Sequence, residues 1–390
     1  MPGVRTNQAE RRLVTFDFRS WWVGNALSAD WMRPKRYFSL TTADGHRTIP
    51  AGRERRYVAE LHRGIRRRQE RAVGVLPTPQ QYWAALELAA ISYTDETDAG
   101  KQHADMEAAL QALPAAELGP WTLEWGPATD QGILTYVAQA ADKTSYALTF
   151  RGSLSQTAAH DFLRNWLVDD ADVLEQVPFD YPASAGAHIS SGANSALGSI
   201  EGLVDPITQL KLPAFIGGLA AKAPLNLIIT GHSLGGGLVQ VGSLWLYAQL
   251  EPAARANITF LPCTYAAPTF GNQEFATLFD TTFPNSYRAV NTLDVVPMAF
   301  ENLSGVQQSY PSPGQTLTEF DPALDAAAQV FKDSTGNVYR SVSGGRLFSF
   351  TGWMPQSAAA WDQIAGTNHG TATYLDFVQK QAYQEIYDGS

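Results

Sequence analysis

Charged side chains are scarce in this sequence. Asp, Glu, Lys and Arg together make up 17% of its 390 residues, against roughly a quarter in an average soluble domain. With an apolar fraction of 45%, that composition excludes a disordered chain and a coiled coil as the main state. The chain has one cysteine, Cys263, so it cannot form an intrachain disulfide, and an extracellular form would depend on a large hydrophobic core alone.

The sequence also lacks a convincing membrane helix. The longest stretch without a charged residue, 223–250, contains Asn226, His232, Gln240 and five glycines. Such a stretch is typical of a buried strand, a glycine turn and a buried helix rather than of a membrane span. No apolar signal-peptide core follows the first arginines. These features slightly favour a cytoplasmic protein, with a mature secreted chain as the alternative.

Negative charge is sparse in the N-terminal part of the sequence, where positive charge is concentrated. Residues 1–75 carry 16 Lys and Arg against 7 Asp and Glu, a net charge of +9, and the remainder carries 12 against 31, a net charge of −19. We therefore predict a basic N-terminal extension over 1–76, with one candidate helix at Glu54–Ala72, and a main domain over 77–390. The extension could pack on the acidic domain, stay solvated or contact an anionic lipid surface.

Short apolar runs alternate with helical patterns in the main domain. This alternation predicts an α/β fold, with a mostly parallel sheet covered by helices on both faces. The predicted helices include 80–93 and 236–250, a hairpin is predicted over 132–139 and 145–150, and further strands are predicted at 225–230, 258–266 and 286–291.

The most informative motif lies between a predicted strand and a predicted helix. Residues Gly231 to Gly235 have the sequence Gly-His-Ser-Leu-Gly. A sharp strand-to-helix turn leaves no room for side chains two positions before and after its apex, and the serine at the apex is exposed for attack. Ser233 is therefore the candidate nucleophile.

A serine nucleophile needs a base and a carboxylate that orients the base. In sheet-based hydrolases these groups follow in the order serine, acid, histidine, and His369 is the only histidine after Ser233. Of the acids between them, Asp294 is favoured because it comes just after a predicted strand, where catalytic loops emerge. Further candidates include Asp280, Asp321, Asp325, Asp333 and Asp362.

Several ordered motifs resemble those of the class 3 lipases, the family of filamentous-fungal triacylglycerol lipases in the α/β-hydrolase superfamily. The resemblance extends from about residue 79 to 387. Its motifs are Ala-Leu-Thr-Phe-Arg-Gly-Ser at 147–153, Arg-Asn-Trp-Leu at 164–167, the turn at 230–236, Tyr-Ala-Ala-Pro at 265–268 with Gly-Asn at 271–272, the Asp loop at 291–297, and His369 with Tyr374 and Leu375.

The resemblance implies further site residues. The backbone N–H groups of Ser153 and Leu234 would form an oxyanion hole. A lid is expected over about 156–180, with an apolar group at Phe162, Leu163, Trp166 and Leu167; the alternative is an ordinary surface helix. The chain departs from the family around 197–222 and in an insertion at about 306–351. The chemistry needs no metal or cofactor.

The expected function is hydrolysis of carboxylic esters of lipids, with triacylglycerols favoured. Phospholipase A1 activity and general carboxylesterase activity are the close alternatives, and a catalytically inactive lipid-surface binding protein is the alternative from another class. The expected partners are a lipid ester substrate and a peripheral lipid interface, with no nucleic acid and no transmembrane segment. The sequence does not predict an oligomeric state.

Overall fold

The computed structural model describes residues 76–94, 98–114, 116–154, 160, 163–164, 174–181, 186–335 and 338–387, and the backbone of 37–42 and 45–50. The chain divides into two compact units, Met1–Arg71 and Ala72–Ser390. In the first unit, strands β1 (Tyr37–Thr42) and β2 (Gly45–Pro50) form an antiparallel pair. The helix predicted at 54–72 lies outside the described residues.

The strands described in the second unit are β3 (Trp121–Asp130), β4 (Ile133–Ala140), β5 (Ser145–Phe150), β6 (Gln176–Pro178), β7 (His188–Ser190), β8 (Leu225–His232), β9 (Ile258–Tyr265), β10 (Tyr287–Asn291) and β11 (Arg346–Phe350). Seven of them form a sheet with the order β11-β10-β9-β8-β5-β4-β3. Strands β5, β8, β9, β10 and β11 are parallel, and β3 and β4 are antiparallel additions at one side.

Helices lie between the strands and cover the sheet. They are α1 (Pro79–Ile91), α2 (Ala99–Gln111), α3 (Ser191–Gly202), α4 (Leu212–Lys222), α5 (Leu234–Gln249), α6 (Pro252–Ala256), α7 (Gln273–Thr282), α8 (Leu303–Gln307), α9 (Leu317–Phe320), α10 (Pro322–Thr335), α11 (Trp361–His369) and α12 (Thr371–Tyr387). Within the described residues, no helix is long and apolar enough to cross a membrane.

The sheet separates two hydrophobic clusters, one on each face. One cluster includes α3, α4, α5 and α7, and the other includes α1, α2 and α12. Because both faces are covered, β8 is buried almost throughout, which accounts for its nearly continuous apolar sequence. The predicted mostly parallel sheet with helices on both faces is confirmed.

A third cluster packs beside the sheet, and the segment 306–351, predicted as an insertion, contributes seven of its sixteen buried residues. It contains Leu317, Leu324 and Phe331 from the insertion, together with Val295 and Trp361 from the segments on either side. The insertion then ends in β11, which pairs in parallel with β10 and forms one edge of the sheet. The insertion therefore extends both the core and the sheet next to the segments that carry Asp294 and His369.

Candidate active site

Ser233 lies at the apex of a tight turn between β8 and α5. Its φ of +59° lies in the left-handed region, which a non-glycine residue seldom occupies. The backbone N–H of Ser233 donates to the carbonyl of Tyr265 at 3.0 Å, so the turn is also anchored to the neighbouring strand β9. Strain of this kind, held by the surrounding structure, is typical of functional sites.

Backbone atoms packed around the turn leave no room for a side chain at Gly231 or Gly235. A Cβ atom on Gly231 would lie 2.4 Å from the carbonyl of Gly235, and one on Gly235 would lie 2.3 Å from the carbonyl oxygen of Phe150. Both distances are far shorter than a carbon-to-oxygen contact allows. The close packing that the sequence motif predicts is therefore present, and it brings the start of α5 against the end of β5.

The structure brings the three predicted triad residues together. His369 Nε2 lies 2.7 Å from Ser233 Oγ, and His369 Nδ1 lies 2.9 Å from Asp294 Oδ2 and 3.1 Å from Oδ1. All three residues are buried, with exposed fractions of 1% or less. Since the carboxylate can only accept, Nδ1 carries the proton, and Nε2 is left to accept the Ser233 hydroxyl proton.

Asp294 is held by further donors. Its Oδ1 accepts from the backbone N–H of Val296 at 3.0 Å, and its Oδ2 accepts from the Tyr374 hydroxyl at 2.8 Å. The same hydroxyl accepts from the backbone N–H of Asn291 at 3.0 Å. Burial, and then the nearby Asp294 charge, raise the pKa of Tyr374 well above its ordinary value, so this hydroxyl stays protonated as a donor.

The other five acidic candidates have different partners. Asp280 accepts from the backbone of the 343–344 turn, Asp321 contacts His160 and Arg164, Asp325 accepts from Gln307, Asp333 accepts from Gln329, and Asp362 accepts from the N–H of Gln363. These contacts are the turn, cap and surface interactions expected of ordinary carboxylates.

His232, next to the nucleophile, makes a second set of contacts that the sequence did not predict. Its Nε2 lies 2.7 Å from the backbone carbonyl of His369, and its Nδ1 lies 2.9 Å from the hydroxyl of Tyr93. A carbonyl only accepts, so Nε2 carries the proton and Nδ1 accepts from Tyr93. Burial, followed by the proximity of His369, lowers the pKa of His232 well below its ordinary value. His232 is therefore a neutral link between the nucleophile turn and the residue carrying the base.

Two asparagines join the loops that carry Asp294 and His369. The side-chain amide of Asn291 donates to the backbone and side-chain oxygens of Asn368, both at 3.0 Å. Asn291 also accepts from Gly352, and Asn368 exchanges two hydrogen bonds with the backbone of Trp353. We call this group the asparagine clasp. It fixes the end of β10 and the end of α11 to the segment after β11.

The predicted oxyanion-hole residues come from the two segments that meet at the nucleophile turn. Leu234 is the first residue of α5, so its N–H belongs to the first turn of the helix, where backbone donors lack helical partners. Ser153 follows Gly152, where a Cβ atom would lie 2.6 Å from the carbonyl of His232. The chain before Ser153 thus packs directly on the nucleophile turn, while the donor roles stay a prediction.

The predicted lid is described only in part. Phe162, Trp166 and Leu167 lie outside the described residues, whereas Leu163 is fully buried in the third cluster. His160 and Arg164 approach Asp321 at 3.1 and 3.2 Å, so these residues contact the insertion. Strand β6 occupies Gln176–Pro178, so the end of the predicted lid segment 156–180 is extended. The lid itself stays a prediction.

A cavity of about 590 Å³ lies away from the triad. It is lined by α4, the end of α5 and α6, including Asn257 just before β9. It therefore opens at the amino ends of the strands, opposite the edge that carries Ser233. In the part of the chain that the structure describes, no group of three or more His, Cys, Asp or Glu side chains could hold a metal ion.

Part of the chain is similar to known lipases. Residues 147–303 match the family model described as lipase (class 3). The lipase of Rhizomucor miehei is 29% identical over 160 residues, which cover 40% of this chain and 38% of the relative. The "Secreted mono- and diacylglycerol lipase 1" of Fusarium solani is 26% identical over 169 residues, 43% of each chain.

The chain therefore spans about two fifths of the length of these curated relatives. The crystal structure of M37 lipase superposes over 80% of this chain and 98% of its own, with a TM-score of 0.66 and 21% sequence identity. That superposition shows the common fold. The match to the class 3 lipase family covers residues 147–303, and the superposition shows that these residues lie within an α/β-hydrolase fold.

Proposed function

We propose that the chain is a lipase that hydrolyses carboxylic esters of lipids through an acyl-enzyme on Ser233. The observation that carries this proposal is the continuous path from Ser233 Oγ through His369 to Asp294, with distances of 2.7 and 2.9 Å. These are hydrogen-bond distances between a nucleophile, a base and an orienting carboxylate. Because the serine also stands on a glycine-lined turn, the arrangement fits nucleophilic catalysis better than a purely structural role.

The steps follow from the positions of the protons. His369 Nε2 takes the hydroxyl proton as Ser233 Oγ attacks the ester carbonyl carbon, and Asp294 stabilises the imidazolium that forms. His369 then gives this proton to the leaving alcohol. Water attacks the acyl-enzyme with His369 again as the base, which releases the acid and restores Ser233.

The tetrahedral intermediates require hydrogen-bond donors at the carbonyl oxygen. We assign this role to the backbone N–H groups of Leu234 and Ser153, because one begins α5 and the other follows the segment packed on the nucleophile turn. Loss of one such donor costs about 3 kcal/mol of transition-state stabilisation. The roles assigned to all five residues remain part of this proposal.

For the substrate, we propose glycerides. One matched relative is described as a mono- and diacylglycerol lipase, which favours glycerol esters. Triacylglycerols remain the preferred member of that class, and phospholipids or small esters are the alternatives. The preserved hydrogen bonds of Ser233 and Asp294 with His369 argue against an inactive lipid-binding protein.

The proposal is tested by assaying hydrolysis of soluble p-nitrophenyl butyrate and of tributyrin. We expect Ser233→Ala to abolish both activities and Asp294→Asn to lower kcat by about 10⁴-fold, since the imidazole then loses its correct tautomer. Asp333→Asn is the matched control, because Asp333 was an alternative acid and its carboxylate contacts Gln329 on the exposed face of the same helix. Full activity of Ser233→Ala would refute the mechanism.

The predicted localisation also needs revision. The relatives do not support the cytoplasmic location that the sequence slightly favours, and the Fusarium solani relative is described as secreted. We therefore propose secretion. Fractionation of the native host culture, with activity or antibody detection in medium and cells, would distinguish the two locations.

A further inference from the structure

The segment around the end of β11 exposes large apolar side chains in an uncharged stretch. Residues 347–361 contain no Asp, Glu, Lys, Arg or His. Within them, Trp353 is 41% exposed and Met354 is 36% exposed. Tryptophan and methionine usually bury such surface, and adjacent exposed residues of this kind mark interaction sites more often than isolated ones do.

This pair lies on the edge of the sheet that carries the triad. Strands β5, β8, β9, β10 and β11 are parallel, so the residues after each strand emerge at the same edge. Trp353 comes three residues after β11, and Ser233 comes directly after β8. Three strand spacings of about 4.8 Å separate these strands, or roughly 14 Å.

A third exposed apolar side chain lies on the other side of the nucleophile. Leu154 follows the end of β5, the strand next to β8 on the side away from β11, and it is 42% exposed. In the order of the strands, β8 therefore lies between the strand that Leu154 follows and the strand that Trp353 and Met354 follow. Exposed apolar side chains thus come after strands on both sides of β8, at the edge of the sheet where Ser233 lies.

The backbone at Trp353 is held in place. Its N–H donates to Asn368 Oδ1 at 2.9 Å, and its carbonyl accepts from Asn368 Nδ2 at 2.8 Å. The preceding N–H, of Gly352, donates to Asn291 at 2.8 Å, and the following Pro355 is buried. The asparagine clasp thus fixes the chain so that Trp353 and Met354 stay at the surface.

We propose that Trp353 and Met354 insert into a neutral lipid surface and hold the catalytic edge against it. This inference rests on the proposed function, because that function brings lipid to this edge. Residues 76–390 carry a net charge of −19, so an anionic surface would repel the domain, whereas an uncharged patch fits zwitterionic or uncharged lipid. Tryptophan favours the boundary between lipid and water, where its ring is apolar and its N–H is hydrated.

The first test places a polarity-sensitive dye on the patch. Met354→Cys, made in the Ser233→Ala protein, gives one exposed thiol, because the natural Cys263 is buried. Ile207→Cys is the matched control, since Ile207 is 70% exposed in the loop between α3 and α4. With phosphatidylcholine vesicles, we expect a blue shift for the dye at 354 and none at 207. No shift at 354, or equal shifts at both positions, would overturn the inference.

The second test measures vesicle partitioning of the Trp353→Ser/Met354→Ser double variant, again with Ser233→Ala. We expect the partition constant to fall by roughly tenfold or more, because two large apolar side chains no longer leave water. Ile207→Ser should bind as the parent does. Thermal unfolding of each variant checks that it is folded, and unchanged partitioning of the folded double variant would contradict the inference.

These assays separate the inference from the proposed function. Binding by the Ser233→Ala protein needs no catalysis, whereas hydrolysis of a soluble ester by the natural protein needs no lipid surface. Hydrolysis without vesicle binding would refute the inference and support the function. Binding through Trp353 and Met354 without hydrolysis of any ester would support the inference and refute the proposed function.

Discussion

Replacing His232 with glutamine should change the way that stability depends on pH. His232 is fully enclosed between Tyr93, His369 and Tyr374, and it bonds to the first two in its neutral form. Burial lowers its pKa well below the ordinary value of 6.5. Glutamine cannot titrate, but its amide can still donate to the carbonyl of His369. The variant should therefore fold, and its free energy of unfolding should no longer depend on protonation of residue 232.

The sign and size of this pH dependence follow from the difference in proton binding between the folded and unfolded protein. Below pH 6.5 the unfolded chain protonates His232, but the folded protein does not until the pH reaches the lowered pKa. Unfolding takes up a proton in that interval, so the free energy of unfolding rises with pH and falls as the pH falls. One proton contributes at most about 1.4 kcal/mol per pH unit, and this contribution ends where the pH reaches the lowered pKa.

Urea unfolding at several pH values between 5 and 7.5 measures this slope. We expect the slope of His232→Gln below pH 6.5 to be smaller than that of the natural protein by up to about 1.4 kcal/mol per pH unit. His188→Gln is the control for removing a histidine, because His188 lies half-buried in β7 with its ring bonded to the carbonyl of Gly186. Equal slopes for His232→Gln and the natural protein would refute the reasoning.

Two further substitutions test the hydrogen bonds that hold Asp294 and His369 in place. Tyr374→Phe removes the hydroxyl that joins the Asn291 N–H to Asp294, so urea unfolding should show a loss of about 2–4 kcal/mol; a loss below about 1 kcal/mol would contradict the buried hydrogen bonds. Gly352→Ala would place a Cβ atom 2.4 Å from both Asn291 Nδ2 and Asn368 Oδ1. Kinetics on soluble p-nitrophenyl butyrate should then show kcat lowered by roughly tenfold with little change in KM, because the positioning of His369 is lost; unchanged kcat would show that the clasp is not needed.

The sequence predicts the central part of the fold and the triad because each depends on local or exclusive signals. The turn at Gly231–Gly235 requires glycine because a Cβ atom at either position would overlap backbone atoms, and the same restriction applies to any sequence that forms this turn. The base follows from the presence of one histidine after the nucleophile, and Asp294 follows from its place just after a strand. The β4–β5 hairpin has a turn at Asp142 and Lys143 between two apolar runs, which is a local signal as well.

The parts that the sequence did not predict depend on contacts between distant segments. Tyr374 belongs to a motif that the sequence analysis identifies near the C-terminus. Its hydroxyl, however, donates to Asp294, 80 residues earlier, and this contact exists only in the folded chain. His232 and Asn368 each lie beside a triad residue, and nothing local distinguishes them from ordinary buried polar residues. Strands β3 and β11 were also missed: β3 has an irregular burial pattern with register shifts, and β11 has five residues at a sheet edge.

The burial of the nucleophile places a condition on turnover. Ser233 is 1% exposed, yet acylation requires its Oγ to come within about 3 Å of an ester carbonyl carbon. An ester must therefore reach Ser233 Oγ without displacing His369 from hydrogen-bond distance of the nucleophile. His232 and the asparagine clasp tie the triad to the ends of β8, β10 and β11, so movement of the triad itself would break these buried hydrogen bonds. Substrate binding that leaves these hydrogen bonds intact therefore costs less free energy than binding that moves the triad.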